Sequence, residues 1–80
     1  MSDELFERFR KTAADSLSKP VDAVTLEANF ADDLDADSLD LTQMVMDLEE
    51  EFDVTVEEEE LEGITTVQQA YDMIAGKVAR

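Results

Sequence analysis

The stretch Asp37-Ser-Leu-Asp-Leu-Thr-Gln-Met-Val-Met-Asp-Leu-Glu-Glu-Glu-Phe52 decides how this chain folds. At 100° per residue, Leu41, Val45, Leu48 and Phe52 fall on one face, and that period belongs to a helix packed on a core. Leu39 and Met46 fall on the opposite side, beside Gln43, Asp47 and Glu50. Two apolar residues ringed by acids and leading back to Ser38 read as a small docking surface. Asp37 is the expected N-cap, which starts the helix at about Ser38 and ends it at Phe52.

On the N-terminal side, Asp3 to Leu17 reads as a second helix with the stripe Leu5, Phe6, Phe9, Ala13 and Leu17. Ser2 suits its cap, and Asp3 and Glu4 suit the positive end of the helix dipole. Ser18-Lys19-Pro20 ends it, because the residue before a proline resists helical geometry. Residues 18–37 then form a long connection whose apolar anchors are Val21, Val24, Leu26, Phe30 and Leu34. Phe30 and Leu34 are expected to pin it to the core.

On the C-terminal side, Glu57 to Glu60 supplies four acids before Leu61, and one or two helical turns should stop at Gly63. Thr66 and Gln69 have capping-box spacing, so a last helix starts at Thr65 or Thr66. Its core stripe is Val67, Ala70, Tyr71, Ile74 and Val78, with Lys77 and Arg80 at the negative end of the dipole. The expected fold is all-α: a small four-helix bundle, three longer helices and one short, with a long loop between the first two. Residues 1–80 should make one domain, without repeats or strands.

Composition narrows the function. The chain has 80 residues, 22 acids and 6 bases, for a net charge of −16. Residues 21–76 hold 18 acids and no Lys or Arg; Arg8, Arg10, Lys11, Lys19, Lys77 and Arg80 lie near the two ends. Such a field repels nucleic acid and anionic lipid and steers basic protein surfaces inward. No run is long and apolar enough to span a membrane, and no signal pattern opens the chain. The absence of cysteine excludes a disulfide framework and fits a cytoplasmic setting. A chain this short buries only about 60–65% of its unfolded surface, which leaves no room for a catalytic cleft beside the core.

The chemistry open to Ser38 is equally restricted. The chain has no histidine to take its proton, and no lysine lies between residues 20 and 76. Asp33-x-Asp35-x-Asp37 has the spacing of the first three ligands of an EF-hand. Position six, however, is Ser38 rather than glycine, and position twelve is Met44 rather than glutamate. No metal site is expected. What remains is an accessible hydroxyl at a helix start.

Phe30-Ala-Asp-Asp-Leu-Asp-Ala-Asp-Ser-Leu-Asp40 resembles the prosthetic-group site of acyl carrier proteins, and Leu48-Glu-Glu-Glu-Phe-Asp53 and Ile64-Thr-Thr-Val-Gln68 resemble two further stretches of the bacterial fatty-acid type. The likeness runs from Leu5 to Ile74. It implies that a phosphopantetheinyl transferase moves 4′-phosphopantetheine from coenzyme A onto Ser38. The arm would bring the thiol that the chain lacks, and acyl groups would ride on it as thioesters. Phe30, Val45, Leu48, Val56, Leu61, Ile64 and Ala70 would line the acyl pocket, with Met44 and Met46 nearby or on its rim. Asp37, Leu39, Asp40, Gln43, Met46, Glu49, Glu50 and Val56 would meet the basic patches of acyltransferases, ketosynthases, reductases and dehydratases. The protein would be a monomer without catalysis of its own. The sequence departs from the family pattern at Asp35, where glycine is usual, at Gln43 for glutamate, and at Glu57 for proline.

Two alternatives stay open on the sequence. One is a carrier for a polyketide or other specialised pathway. The other is an acidic, cofactor-free helical adaptor that occupies a basic protein surface.

Overall fold

The computed structural model describes residues 3–78, the first of them without its side chain. The roles expected of Ser2, of the Asp3 side chain and of Arg80 lie outside what is described. Among these residues four α-helices follow one another: α1 (Asp3–Leu17), α2 (Ser38–Phe52), α3 (Glu58–Glu62) and α4 (Val67–Val78). A single 3-10 turn, Val21–Ala23, interrupts the connection between α1 and α2. Among the described residues, extended pairing is limited to one antiparallel bridge, Asn29 to Thr66. The expected architecture is the one observed.

Helix α1 packs along α2, and both touch α4. Phe9, Ala13, Ala14 and Leu17 of α1 meet Met44, Val45 and Leu48 of α2 and Val67, Ala70 and Ile74 of α4 in one core. Phe6, Phe9 and Tyr71 tie α1 to α4, with Tyr71 edge-on to both rings at 5.0 and 5.5 Å between centroids. No polar or charged residue among those described is buried in this core. The acids therefore keep their water, and the interior carries none of the repulsion of the surface.

The long connection is fastened in three places. Arg10 of α1 donates from Nε to the Val24 carbonyl (2.9 Å) and from Nη2 to the Val21 carbonyl (3.0 Å) while lying over the Phe6 ring. The connection also closes the start of α4. Val67 N–H donates to the Ala28 carbonyl and Gln68 N–H to the Leu26 carbonyl, which satisfies two donors that a helix cannot satisfy itself. Finally, Phe30 and Leu34 are buried as expected.

Four side chains differ from the sequence reading. Leu26 is 38% exposed and anchors nothing; its backbone carbonyl does the fastening instead. Met44 is fully buried rather than on a rim, because α1 covers that flank of α2 and widens its apolar face. Ala14 joins the core because Val24 and its neighbours pack back toward α1. Val78 is 38% exposed, as the last turn of α4 outruns the bundle.

Helix ends follow local chemistry. Helix α2 stops where Asp53 turns left-handed (φ 55°), its N–H on the Glu49 carbonyl. Helix α1 is followed by Ser18 at φ 58°. Helix α4 begins after Thr66, whose N–H reaches Gln69 Oε1 (3.0 Å) and whose Oγ1 accepts from Gln69 N–H (3.3 Å), the reciprocal box expected from the sequence.

Candidate functional site

Ser38 is the first residue of α2 and is exposed. Its neighbours do the capping. Asp37 Oδ1 accepts from Asp40 N–H (2.9 Å), and Asp40 Oδ2 accepts from Asp37 N–H (3.2 Å). This is a capping box with aspartate in the place where glutamate or glutamine is usual. The Asp-x-x-Asp spacing is the sequence signal for it, and the familiar pattern with Glu or Gln at the third position misses it. The Ser38 carbonyl accepts from the Thr42 hydroxyl (2.9 Å). Its own hydroxyl makes no hydrogen bond among the described residues. A free oxygen therefore stands at the positive end of a 15-residue helix, where a phosphate ester is electrostatically at home.

The loop that delivers Ser38 is held rigidly. Asn29 Oδ1 accepts from Ala31 and Asp32 N–H, and Asp33 Oδ2 accepts from Asn29 N–H (2.7 Å). Leu34 and Ala36 donate to the Asn29 and Phe30 carbonyls, and the side chains of both are buried. Asp35 lies between them in the left-handed region, at φ 53°. A β-branched or bulky residue fits that conformation poorly; aspartate enters it at lower cost.

The residues expected to meet partners divide by what else they do. Leu39 (79% exposed) and Met46 (51%) stand clear of the core. Gln43 and Glu50 are exposed beside them, Gln43 donating to Asp47 at 3.2 Å. Glu50 also lines an open groove with Asp47 and Glu51 of α2 and Thr12 and Asp15 of α1. Asp37 and Asp40 are exposed while holding the cap. Glu49 is tied into the fold as well, because its Oε2 accepts the Val56 N–H at 2.7 Å and so fixes the chain between α2 and α3. Val56 is half-buried. Nothing local in the sequence announces the bond to Glu49, since it joins residues seven apart across a turn.

The residues expected around an acyl chain are brought together. Phe30, Val45, Leu48, Ile64 and Ala70 are buried in the common core, with Val56 and Leu61 packed against it. They come from the long loop, from α2, α3 and α4, and, for Val56 and Ile64, from the short connections on either side of α3. Helix α3 is tied to α4 by one carboxylate oxygen. Glu60 Oε1 accepts both the Glu57 N–H (2.9 Å) that opens α3 and the Lys77 ammonium (3.0 Å) of α4. No group of three or more metal-ligating side chains converges among the described residues, and none of their helices is long and apolar enough to cross a membrane.

Residues 7–74 match the protein family described as "Phosphopantetheine attachment site". The chain is 51% identical over 76 residues to an acyl carrier protein of Petrotoga mobilis, a match covering 95% of this chain and 89% of the relative. It is 47% identical over 76 residues to an acyl carrier protein of Thermosynechococcus vestitus, covering 95% and 94%. With an acyl carrier protein of a Picosynechococcus species it shares 44% over 77 residues, covering 96% and 95%. These matches place the chain in its family: it belongs to the acyl carrier proteins, carriers rather than enzymes, whose prosthetic group is 4′-phosphopantetheine.

Proposed function

We propose that Ser38 carries the 4′-phosphopantetheine arm and that the protein presents acyl intermediates to the enzymes of fatty acid biosynthesis. The observation that carries this reading is the Ser38 hydroxyl, exposed and without a hydrogen bond while Asp37 and Asp40 cap the helix. Its oxygen is the one that a phosphopantetheinyl transferase would join to phosphorus. When bound, the group supplies a thiol on a long arm; the chain has no cysteine to compete with it. The N-terminus of α2 favours the phosphodiester charge, and Thr42, bonded to the Ser38 carbonyl, helps hold the first turn in place.

The chain's own residues then serve binding and burial. Leu39 and Met46 supply the apolar centre of the docking face; Asp37, Asp40, Gln43 and Glu50 supply its polar rim. Glu49 and Val56 complete that face while holding the chain that leads to α3. A small apolar centre within a strongly negative field suits brief encounters with many basic partners, because steering raises the on-rate without a large buried area. These partners are the transferase and the acyltransferases, ketosynthases, reductases and dehydratases of the pathway. Phe30, Val45, Leu48, Val56, Leu61, Ile64 and Ala70 would shelter the cargo among the helices. The 80 residues act as one monomeric, cytoplasmic carrier domain without catalytic activity.

Intact-mass measurement tests the assignment. Incubation with coenzyme A and a phosphopantetheinyl transferase should add one arm to the wild type and none to Ser38→Ala. Wild type left unmodified by several transferases would favour a cofactor-free adaptor. The acyl group found on the arm in the native cell separates fatty acid synthesis from a specialised pathway.

A further inference from the structure

We propose that Glu49 is a positioning residue for partner binding: it acts through Val56, by the reach of its carboxylate oxygen, and not by presenting charge to a partner. The inference rests on Ser38 being the loaded residue and on Val56 belonging to the docking face. Glu49 and Glu50 follow one another on α2 but are spent differently. Glu50 is exposed, whereas Glu49 is half-buried and its Oε2 accepts the Val56 N–H at 2.7 Å. A bond of that length between an amide and a carboxylate lies at the strong end of its class. The Glu49 backbone carbonyl accepts as well, from Asp53 N–H and from Val54 N–H (3.1 Å). One residue thus takes three of the four amides from Asp53 to Val56.

What these bonds place is an apolar side chain. Asp53 is left-handed and turns the chain out of α2, so the helix itself does not dictate where the next residues go. Among the described residues no backbone carbonyl takes the Val56 N–H; the Glu49 carboxylate does. Val54 and Val56 pack against the core from this connection. Helix α3 begins at Glu58 with no fully buried residue of its own, so its entry is inherited from the connection. An apolar contact serves a brief complex best when it is already in place, because ordering it on binding costs affinity. An oxygen at the right distance supplies that order, and net charge does not. Reach and charge are separable at this position. Glutamine keeps the oxygen and loses the charge; aspartate keeps the charge and is one methylene too short.

Loading by a phosphopantetheinyl transferase, followed by intact mass, separates the two. Glu49→Asp should raise KM about fivefold with kcat nearly unchanged, at about 0.05 M and about 0.5 M salt alike, because the loss is not one of screened charge. Glu49→Gln should stay within about twofold of wild type in both parameters. Amide exchange read by NMR supplies the structural signature. The Val56 N–H should be protected in wild type and in Glu49→Gln, and should exchange about tenfold faster or more in Glu49→Asp. In a Val56→Ala background Glu49→Asp should cost less than about twofold further, since the side chain it positions is gone. Melting curves keep every measurement below unfolding. The opposite ranking, with glutamine the worse variant, overturns the inference, as do a deficit in Glu49→Asp that salt abolishes, full additivity with Val56→Ala, and equal loading of all forms. Failure of the wild type itself to gain the arm would overturn the attachment at Ser38 and this inference together, a result distinct from each of those.

Discussion

Replacing Arg10 should unfasten the long connection more than any other surface change in this protein. Its side chain is only 19% exposed, and its guanidinium donates to the Val24 and Val21 carbonyls, at the end and start of the 3-10 turn, at 2.9 and 3.0 Å. A hydrogen bond from a charged donor contributes about 1.5–3 kcal/mol, and the partial exposure here argues for the lower end. The Val21 carbonyl retains its bond from Val24 N–H after truncation, so it is not orphaned. The Val24 carbonyl has no such reserve among the backbone bonds. Loss of the guanidinium over Phe6 adds a few tenths of a kcal/mol, while the bridge to the exposed Glu7 contributes little. Arg10→Ala should therefore cost about 2–3 kcal/mol out of a total of about 4–12 for a chain of this size. That lowers the melting temperature by about 10–20 °C. Arg10→Lys, which keeps the charge and can reach only one carbonyl, should cost about half as much. Urea unfolding followed by circular dichroism measures both, with an unchanged m value required for the comparison. A loss below about 0.5 kcal/mol in Arg10→Ala, or equal losses in the two variants, would show that the carbonyl bonds do not hold the connection.

Glu50→Lys should slow association with the transferase and flatten its salt dependence in stopped-flow measurements; unchanged kinetics would remove the steering role of this face. It is a cleaner probe than reversal at Asp40, because Asp40 also closes the cap of α2. Asp53→Gly and Ser18→Gly should each raise stability by about 0.5–1 kcal/mol, since both residues are left-handed after a helix and glycine relieves that cost. A fall in melting temperature for either would contradict it. Monovalent salt should raise the wild-type melting temperature: screening relieves repulsion among 18 acids in residues 21–76, which outweighs weaker bridges at Arg8 and Lys77. A melting temperature indifferent to salt would show that the acids are too far apart to repel.

The helices were legible because each carries its own instructions. Apolar spacing along α1, α2 and α4, Pro20, Gly63 and the Thr66–Gln69 pair are all local signals, and their element bounds agree with the structure to within a residue or two. The connection was legible only in outline. Its apolar residues suggested Leu26 as an anchor, yet Leu26 acts through its carbonyl and Arg10 through its guanidinium. Backbone carbonyls are identical at every residue, so composition cannot say which of them will meet an arginine or a helix start. The burial of Met44 was hidden for a related reason. One helix shows how wide its apolar stripe is, but not from which side a second helix will cover it.

The same division of labour suits Ser38 to the attachment role proposed for it. A serine at the start of a helix ordinarily spends its hydroxyl on the orphan N–H groups, and a capped oxygen is a poor acceptor of a new bond to phosphorus. Here Asp37 and Asp40 take that duty, Thr42 holds the carbonyl, and Asn29 and Asp33 hold the loop. Removing the Asp37 carboxylate would therefore do two things at once. It would cost about 1 kcal/mol of helix stability, and it would invite Ser38 to turn inward as the replacement cap. The freedom of the hydroxyl is thus a property of its neighbours, and the acids around it are needed for that freedom as well as for the charge they present.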